Sequence, residues 1–281
     1  MLPDTEQRDR RREETAMVSP TQRDVRDEVG VLDGAAAASG GLDRAAAILD
    51  AFDATHRELT LASLVRRCGL PRSTTHRTAD RMLRLGWLDK PADRYRIGQR
   101  LFELSGLVPI RHELREAVLP FLHDLHAAVK VAVQLGVLHG AEVLVVEKIT
   151  GHRPMPMLSQ VGGTIPAYCS ALGRAILAWS PAEAVDVALS GPLPARTPRT
   201  LTGPDAVRRE LAAIPDRGWA VEREEGNIGV SCVAAPIFGP LGEVVAALSV
   251  TGPSAAVRSE RAGPPVQLAA AAASRAYSAR R

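Results

Sequence analysis

Arg77, Arg81 and Arg84 fall at i, i+4 and i+7 within LPRSTTHRTADRMLR, residues 70–84. On a helix that spacing places them on one stripe. A guanidinium fork matches the O6 and N7 acceptors of guanine, and it also matches phosphate oxygens. The segment therefore reads as a surface for a nucleic acid. Ser73, Thr74, His76 and Arg77 lie in the amino-terminal part of the helix, which is the part that reaches base edges in helix-turn-helix motifs. Arg77 is the expected guanine reader. Thr74 suits a thymine methyl or a phosphate, and His76 stands between a base contact and an ordinary surface histidine. Arg72, Arg81 and Arg84 are expected on phosphates, and Arg94 and Arg96 further along on the backbone or in the minor groove. Residues 60–100 hold ten Lys/Arg against three Asp/Glu, whereas the whole chain carries only +3. Basic charge is thus concentrated where a DNA contact needs it. The plainer alternative is a solvated arginine face on a helical hairpin.

Other reactive side chains are sparse. Cys68, Cys169 and Cys232 are far apart and no CxxC occurs, so neither a zinc site nor any other metal is expected. Free thiols suit a reducing compartment, and the expected location is cytoplasmic. No GxSxG, HExxH or glycine-rich phosphate loop appears. His152 near Cys169 is the least unfavourable nucleophile–base pair for a thiol enzyme, and no cofactor is implied. No apolar run approaches the ~20 residues of a membrane span, and the charged N-terminus lacks the apolar core of a signal peptide.

These side chains need elements to hold them. Thr60 is a plausible N-cap for a helix with Leu61, Leu64 and Val65 inward, and Gly69 stops it. Residues 70–72 turn the chain and Ser73 is placed to cap the second helix, whose inward residues are Ala79, Met82 and Leu83. Gly86 ends it, and 87–90 and 94–97 alternate as a hairpin around 91–93. Upstream, residues 42–52 form an amphipathic helix with Leu42, Ala45, Ala46, Leu49 and Phe52 on one face. Together these make a winged helix-turn-helix over 42–98. Residues 1–28 carry fourteen charged residues, so 1–41 is read as a disordered tail and linker.

Two helices, 98–107 and 112–129, link this module to a region at 130–281. In that region strands are expected at 131–137, 143–149, 219–222, 231–237 and 244–250, with a short one at 157–160. Helices are expected at 170–179, 181–189, 204–214 and 267–278. The fold class is α+β, a mixed sheet flanked by helices. Hydrophobic residues make up 46% of the chain but aromatics only 4%, so its cores must be built from Ala, Leu, Val and Ile.

LPRSTTHRTADRMLRLGWL, CSALGRAILA and RGWAVEREEGNIGVSCVAAPIFGPLGEVVAALSVTGP occur in this order. With them the chain resembles the IclR family of bacterial transcriptional regulators over about residues 42–278. The resemblance implies a winged helix-turn-helix followed by a GAF-like effector-binding domain. It also implies a homodimer, or a dimer of dimers (a tetramer), on a palindromic double-stranded DNA operator. It further implies a small organic or aromatic acid as effector. Met157, Ala171, Leu172, Glu222, Val230 and Cys232 match positions that line the family's pocket, and Asn227 lies in the same segment. The small residues after Ser170 suggest open backbone N–H groups that would hold a carboxylate with no arginine in the pocket. Each residue also has a plainer reading. Met157 and Val230 suit a core, Cys232 suits a buried small hydrophobe, and Glu222 with Glu224 and Glu225 suits a solvated acidic turn. The function expected is a ligand-responsive regulator, read as a repressor. The alternatives are a constitutive DNA-binding protein whose second domain only dimerises, and a thiol enzyme.

Overall fold

The computed structural model of the chain describes residues 40–53, 55–151 and 159–280, with the side chains of 109–112 outside that description. The expected tail up to residue 39, His152, Met157 and the first half of the expected 157–160 strand therefore lie outside the described residues. Residues 159 and 160 are not in a strand. The chain divides into two units, up to Gln99 and from Arg100 onward.

The first unit contains α1 (Gly41–Asp50), α2 (Leu61–Cys68) and α3 (Arg72–Arg84), then β1 (Leu88–Asp89) and β2 (Arg96–Ile97). Thr60 caps α2, its side chain accepting from the Ser63 N–H at 3.2 Å. Gly69 ends α2 in the left-handed region at φ 68°, where a side chain is disfavoured. Ser73 is not the cap of α3. Pro71 fixes the backbone at φ −54°, ψ 142° and the helix begins at once with Arg72, which puts Ser73 in its first turn. The buried side of α3 is Thr75, Ala79 and Met82, while Leu83 is partly buried. The α1 face is also rotated from expectation. Ala45 and Ile48 are buried, whereas Leu42 is 79% exposed and Ala46 is exposed.

The wing pairs Leu88 with Ile97 and Asp89 with Arg96 around Pro91–Asp93. A third bridge joins Leu59 to Tyr95, with N–H···O bonds of 2.9 and 2.7 Å in the two directions. Tyr95 is fully buried in this unit's core. The wing is therefore tied to the chain just ahead of α2.

α4 (Gln99–Ser105) leads into the second unit. That unit contains α5 (Pro109–Val129), β3 (Ala132–His139), β4 (Glu142–Ile149), β5 (Thr164–Pro166), α6 (Ala171–Leu177), α7 (Ala182–Leu189) and α8 (Pro204–Arg217). It closes with β6 (Ala220–Arg223), β7 (Val230–Phe238), β8 (Val244–Pro253) and α9 (Ser259–Ser278). The sheet order is β5-β4-β3-β8-β7-β6, antiparallel throughout.

Alternation along the strands separates two layers. Val133, Leu135, Val233, Ala235, Leu248 and Val250 face α5 and α9. Ala220, Cys232, Ala234 and Ala247 face α6, α7 and α8. α5 is thus part of this core, through Leu114, Val118, Leu122 and Leu125, rather than a free connector. β5 was not predicted, because Thr-Ile-Pro is too short to show a period. α9 begins eight residues ahead of its expected start and carries Pro264 and Pro265 inside it. Adjacent prolines read in sequence as a boundary, but here the helix runs through them. Among the described residues no helix is long and apolar enough to cross a membrane.

Candidate functional sites

The first site is the outer side of α3. Arg72, Ser73, His76 and Arg77 share an open concavity with Leu61. Arg81 and Arg84 continue along the exposed side of the helix, and Arg94 and Arg96 are exposed on the wing. Thr74 is half-buried, and the neighbouring Thr75 is fully buried, its hydroxyl donating to the carbonyls of Leu70 and Pro71. Two acids temper the basic face. Asp80 lies 3.2 Å from His76 Nδ1, and Asp89 lies 3.6 Å from Arg96. Asp80, one helical turn after His76, engages the imidazole at Nδ1.

The second site is a half-open cavity on the α6 side of the sheet. A concave, largely apolar site with a few convergent polar groups suits a small organic ligand. Its floor is one row of the sheet: Thr251 opposes Cys232, and Cys232 opposes Glu222. In the next row Gln134 reaches across, donating from Nε2 to Thr251 Oγ1 at 3.1 Å, and Thr251 donates on to Cys232 Sγ at 3.0 Å. Small residues elsewhere on this face, Gly136 and Ala247, let α6 lie close against it. In α6, Gly173 permits the tightest approach, since a Cβ there would fall 2.3 Å from the Ala167 backbone.

Of the residues expected to line a pocket, Ala171, Leu172, Glu222, Asn227, Val230 and Cys232 do line this cavity. Met157 lies outside the described residues. Two expectations are modified. The α6 N-terminus is partly closed, because Ser170 Oγ accepts the Gly173 N–H at 3.1 Å and the helix has only seven residues. The pocket is also not free of arginine. Arg196, from the segment between α7 and α8, is the one cationic side chain among the described residues that line it. Nothing local in PLPARTPRT marks Arg196, since its place depends on contacts far away in sequence.

Those contacts form a clasp. Tyr168 donates its hydroxyl to Pro194 O at 2.5 Å, Thr197 to Glu224 O at 2.6 Å, and Thr200 to Glu225 O at 2.7 Å. Behind it, Arg174 and Glu225 make a bidentate pair at 2.6 and 2.5 Å, with Arg174 only 1% exposed. Arg174 Nε also donates to Tyr168 O at 2.8 Å. The three acids are therefore not one solvated turn. Glu225 is buried and paired, Glu222 is buried in the cavity, and Glu224 lies 3.5 Å from Arg199.

Burial pushes the Glu222 carboxyl up to about 7, against the pull of N–H bonds from Gly226 and Glu225. Burial likewise pushes the Cys232 thiol up to about 12, with the Glu222 charge adding to it, and pushes the Cys169 thiol up. Thiols held protonated in this way are poor nucleophiles, which removes the chemistry a thiol enzyme would need.

The helix-turn-helix region, residues 41–92, matches the model of the IclR helix-turn-helix domain. Residues 108–278 match that of the bacterial transcriptional regulator IclR C-terminal domain. The chain belongs to the IclR family. Among curated IclR-type relatives it is similar to the HTH-type transcriptional regulator XynR of Escherichia coli, 30% identical over 213 residues, 75% of this chain and 84% of the relative. It is also similar to the glycerol operon regulatory protein of Streptomyces griseus, 33% identical over 214 residues, 75% of this chain and 84% of the relative. Among solved structures it resembles an IclR homologue from Microbacterium hydrocarbonoxydans complexed with 4-hydroxybenzoate. That match has 31% identity and a TM-score of 0.79, and covers 85% of this chain and 100% of the other.

As an IclR-family protein the chain is a DNA-binding transcriptional regulator, and the relatives named here are regulators rather than enzymes. The family fold accounts for the winged module and the curled antiparallel sheet with its helices. Arg196 and the Arg174–Glu225 pair are the additions that sequence reasoning did not reach. Arg174 stands in the CSALGRAILA motif, but a basic residue in a small-residue helix gives no sign of its partner fifty-one positions away.

Proposed function

We propose that this IclR-family chain is a ligand-responsive repressor whose effector is a small organic or aromatic acid held in the α6 cavity. The observation that carries this reading is a concave cavity, apolar over much of its wall, with Arg196 as the one cation among the described residues that line it. A carboxylate entering it exchanges hydration for a guanidinium fork. The solved relative complexed with 4-hydroxybenzoate supports an aromatic acid.

At the other end Arg77 reads a guanine, while Arg72, Arg81, Arg84, Arg94 and Arg96 neutralise phosphates. Ser73, Thr74 and His76 complete the contact with the groove. A single module of this size binds weakly, so the operator is a palindrome held by a homodimer or a dimer of dimers. A coupling of about 1–3 kcal/mol between effector and operator gives a five- to 150-fold response.

The test is a thermal-shift screen of the full chain with short carboxylic and aromatic acids, followed by operator gel shifts with each hit. An acid at ~100 Kd raises stability by about 2.7 kcal/mol, and it weakens operator binding if the protein is a repressor. Acids that shift neither melting nor operator affinity sink the sensor reading and leave a second domain that only dimerises. R196Q should weaken every acid by about tenfold, the loss of one charge-assisted contact.

A further inference from the structure

Arg196 has no regular element to hold it. It stands in PLPARTPRT, residues 192–200, which is neither helix nor strand. Pro194 and Pro198 on either side of it have no N–H to offer a ladder. The acids nearby are engaged elsewhere, Glu225 with Arg174 and Glu224 with Arg199. What sets the place of Arg196 is one hydroxyl. Thr200 Oγ1 accepts the backbone N–H of Arg196 itself at 3.0 Å and that of Thr197 at 2.9 Å, and it donates to Glu225 O at 2.7 Å. A hydroxyl has one hydrogen and two lone pairs, and all of them are used. Thr197 Oγ1 tightens the same turn by accepting the Arg199 N–H at 3.1 Å. On the other side of Arg196, the Tyr168 hydroxyl holds Pro194 O. The frame behind is stiff, because the Glu225 carboxylate faces the buried Arg174 of α6 and also accepts the Leu201 N–H at 3.2 Å. A run of direct bonds thus leads from α6 through Arg174, Glu225 and Thr200 to the Arg196 amide.

We infer that Thr200 is the positioning residue of the cavity: its hydroxyl fixes the Arg196 guanidinium where it meets a carboxylate, and so sets how strongly the cavity prefers an acid to the neutral amide of the same shape. This rests on the acid-binding reading of the cavity and adds what makes Arg196 selective. Thr200 is not among the residues that line the cavity, so it acts through Arg196 rather than on the ligand. A guanidinium fork rewards geometry as well as charge, since both of its N–H bonds must meet the carboxylate. Holding the Arg196 backbone before the ligand arrives also leaves less freedom to be lost on binding. Valine at position 200 would keep the shape of threonine, but it can neither accept the two amides nor donate to Glu225 O. The turn that carries Arg196 would lose all three bonds at once.

The experiment is calorimetric titration of the full chain with 4-hydroxybenzoate and with 4-hydroxybenzamide, its neutral isostere. The proteins compared are the parent, R196Q, T200V, T200A and T200S. In the parent the acid should bind about tenfold or more tightly than the amide, the effect of one charge-assisted contact. R196Q should bring that ratio to about one. T200V should lower it to about threefold or less, because a displaced fork keeps its charge but loses the paired geometry. T200S keeps the hydroxyl and should restore the parent ratio. A hydroxyl that only stabilises the fold would scale both affinities together and leave the ratio in place. Should T200V fail to fold, T200A decides, since it removes the hydroxyl and leaves the backbone free of a branched side chain. A ratio that R196Q collapses but folded T200V or T200A leaves unchanged overturns the inference and keeps the acid-binding reading. A T200S ratio no better than that of T200V overturns it as well. If the parent binds both probes equally, or neither, the acid-binding reading falls and this inference with it.

Discussion

Replacing Glu225 with alanine is the sharpest test of how the cavity wall is held. The substitution strands Arg174, a guanidinium only 1% exposed, without the two oxygens that face it at 2.6 and 2.5 Å. Tyr168 O at 2.8 Å and Val221 O at 3.4 Å remain as acceptors, but neither carries a charge. Removing one partner of a buried pair costs about 3–5 kcal/mol, because the surviving charge keeps its desolvation penalty. Glu225 Oε2 also accepts the Leu201 N–H at 3.2 Å, so about 1 kcal/mol more is lost there. The expected destabilisation is therefore about 4–6 kcal/mol. Replacing both residues by apolar ones, R174M with E225L, should cost distinctly less than E225A alone, since no buried charge is left behind. The assay is urea denaturation followed by tryptophan fluorescence in a W87F background. Trp179 and Trp219 then report the second unit alone. A cost below about 1 kcal/mol for E225A, or a double variant no better than the single, would show that the pair is not the fastening inferred from its geometry.

Other expected outcomes follow from separate features. The fold favours protonated Glu222, whose carboxyl rises from an ordinary 4.5 to about 7, so its contribution is fully present below pH 4.5 and is lost as pH rises through 7. Against E222Q, the parent should lose about 3 kcal/mol of stability between pH 4.5 and 7, read by urea denaturation at intervals; a flat difference refutes it. G173A should lower stability by about 2 kcal/mol in the same assay, even though alanine is normally the better helix former, because the new Cβ meets the Ala167 backbone. In gel shifts R77A should cost about 1–3 kcal/mol and relax discrimination at one base pair, whereas R84A should weaken all sequences alike and reduce the salt slope by about one.

The DNA-binding unit was readable in sequence because its signals are local. Thr60 and Gly69 act on their own helix, the arginine stripe needs only helical spacing, and the wing needs only alternation about Pro91. Where two local signals competed, the stiffer won: Pro71 set the start of α3 and left Ser73 inside it. Tyr95 escaped notice because its burial depends on the bridge to Leu59, thirty-six residues earlier. In the second unit the strands and α6 were legible from their apolar runs, and the family motifs pointed to the residues around Glu222 and Cys232. Arg196 was invisible for a physical reason. Its segment is irregular, and what holds it there is a set of hydrogen bonds to Tyr168, Glu224 and Glu225, none of which leaves a trace in neighbouring residues. Capping narrows the expected anion site: the Ser170 hydroxyl that precedes the N–H groups of α6 occupies one of them.

The separation of the sheet's two faces has a consequence for how such a regulator can change. Along β7, Cys232 and Ala234 look toward the cavity layer, while Val233 and Ala235 look toward α5 and α9. A substitution at Glu222, Cys232 or Thr251 alters what the floor offers a ligand without touching the packing of the opposite layer. Cavity chemistry and the packing of the opposite layer are thereby assigned to alternate residues of the same strands. Single changes at every second position can re-cut the cavity floor while the intervening positions keep the α5–α9 layer packed.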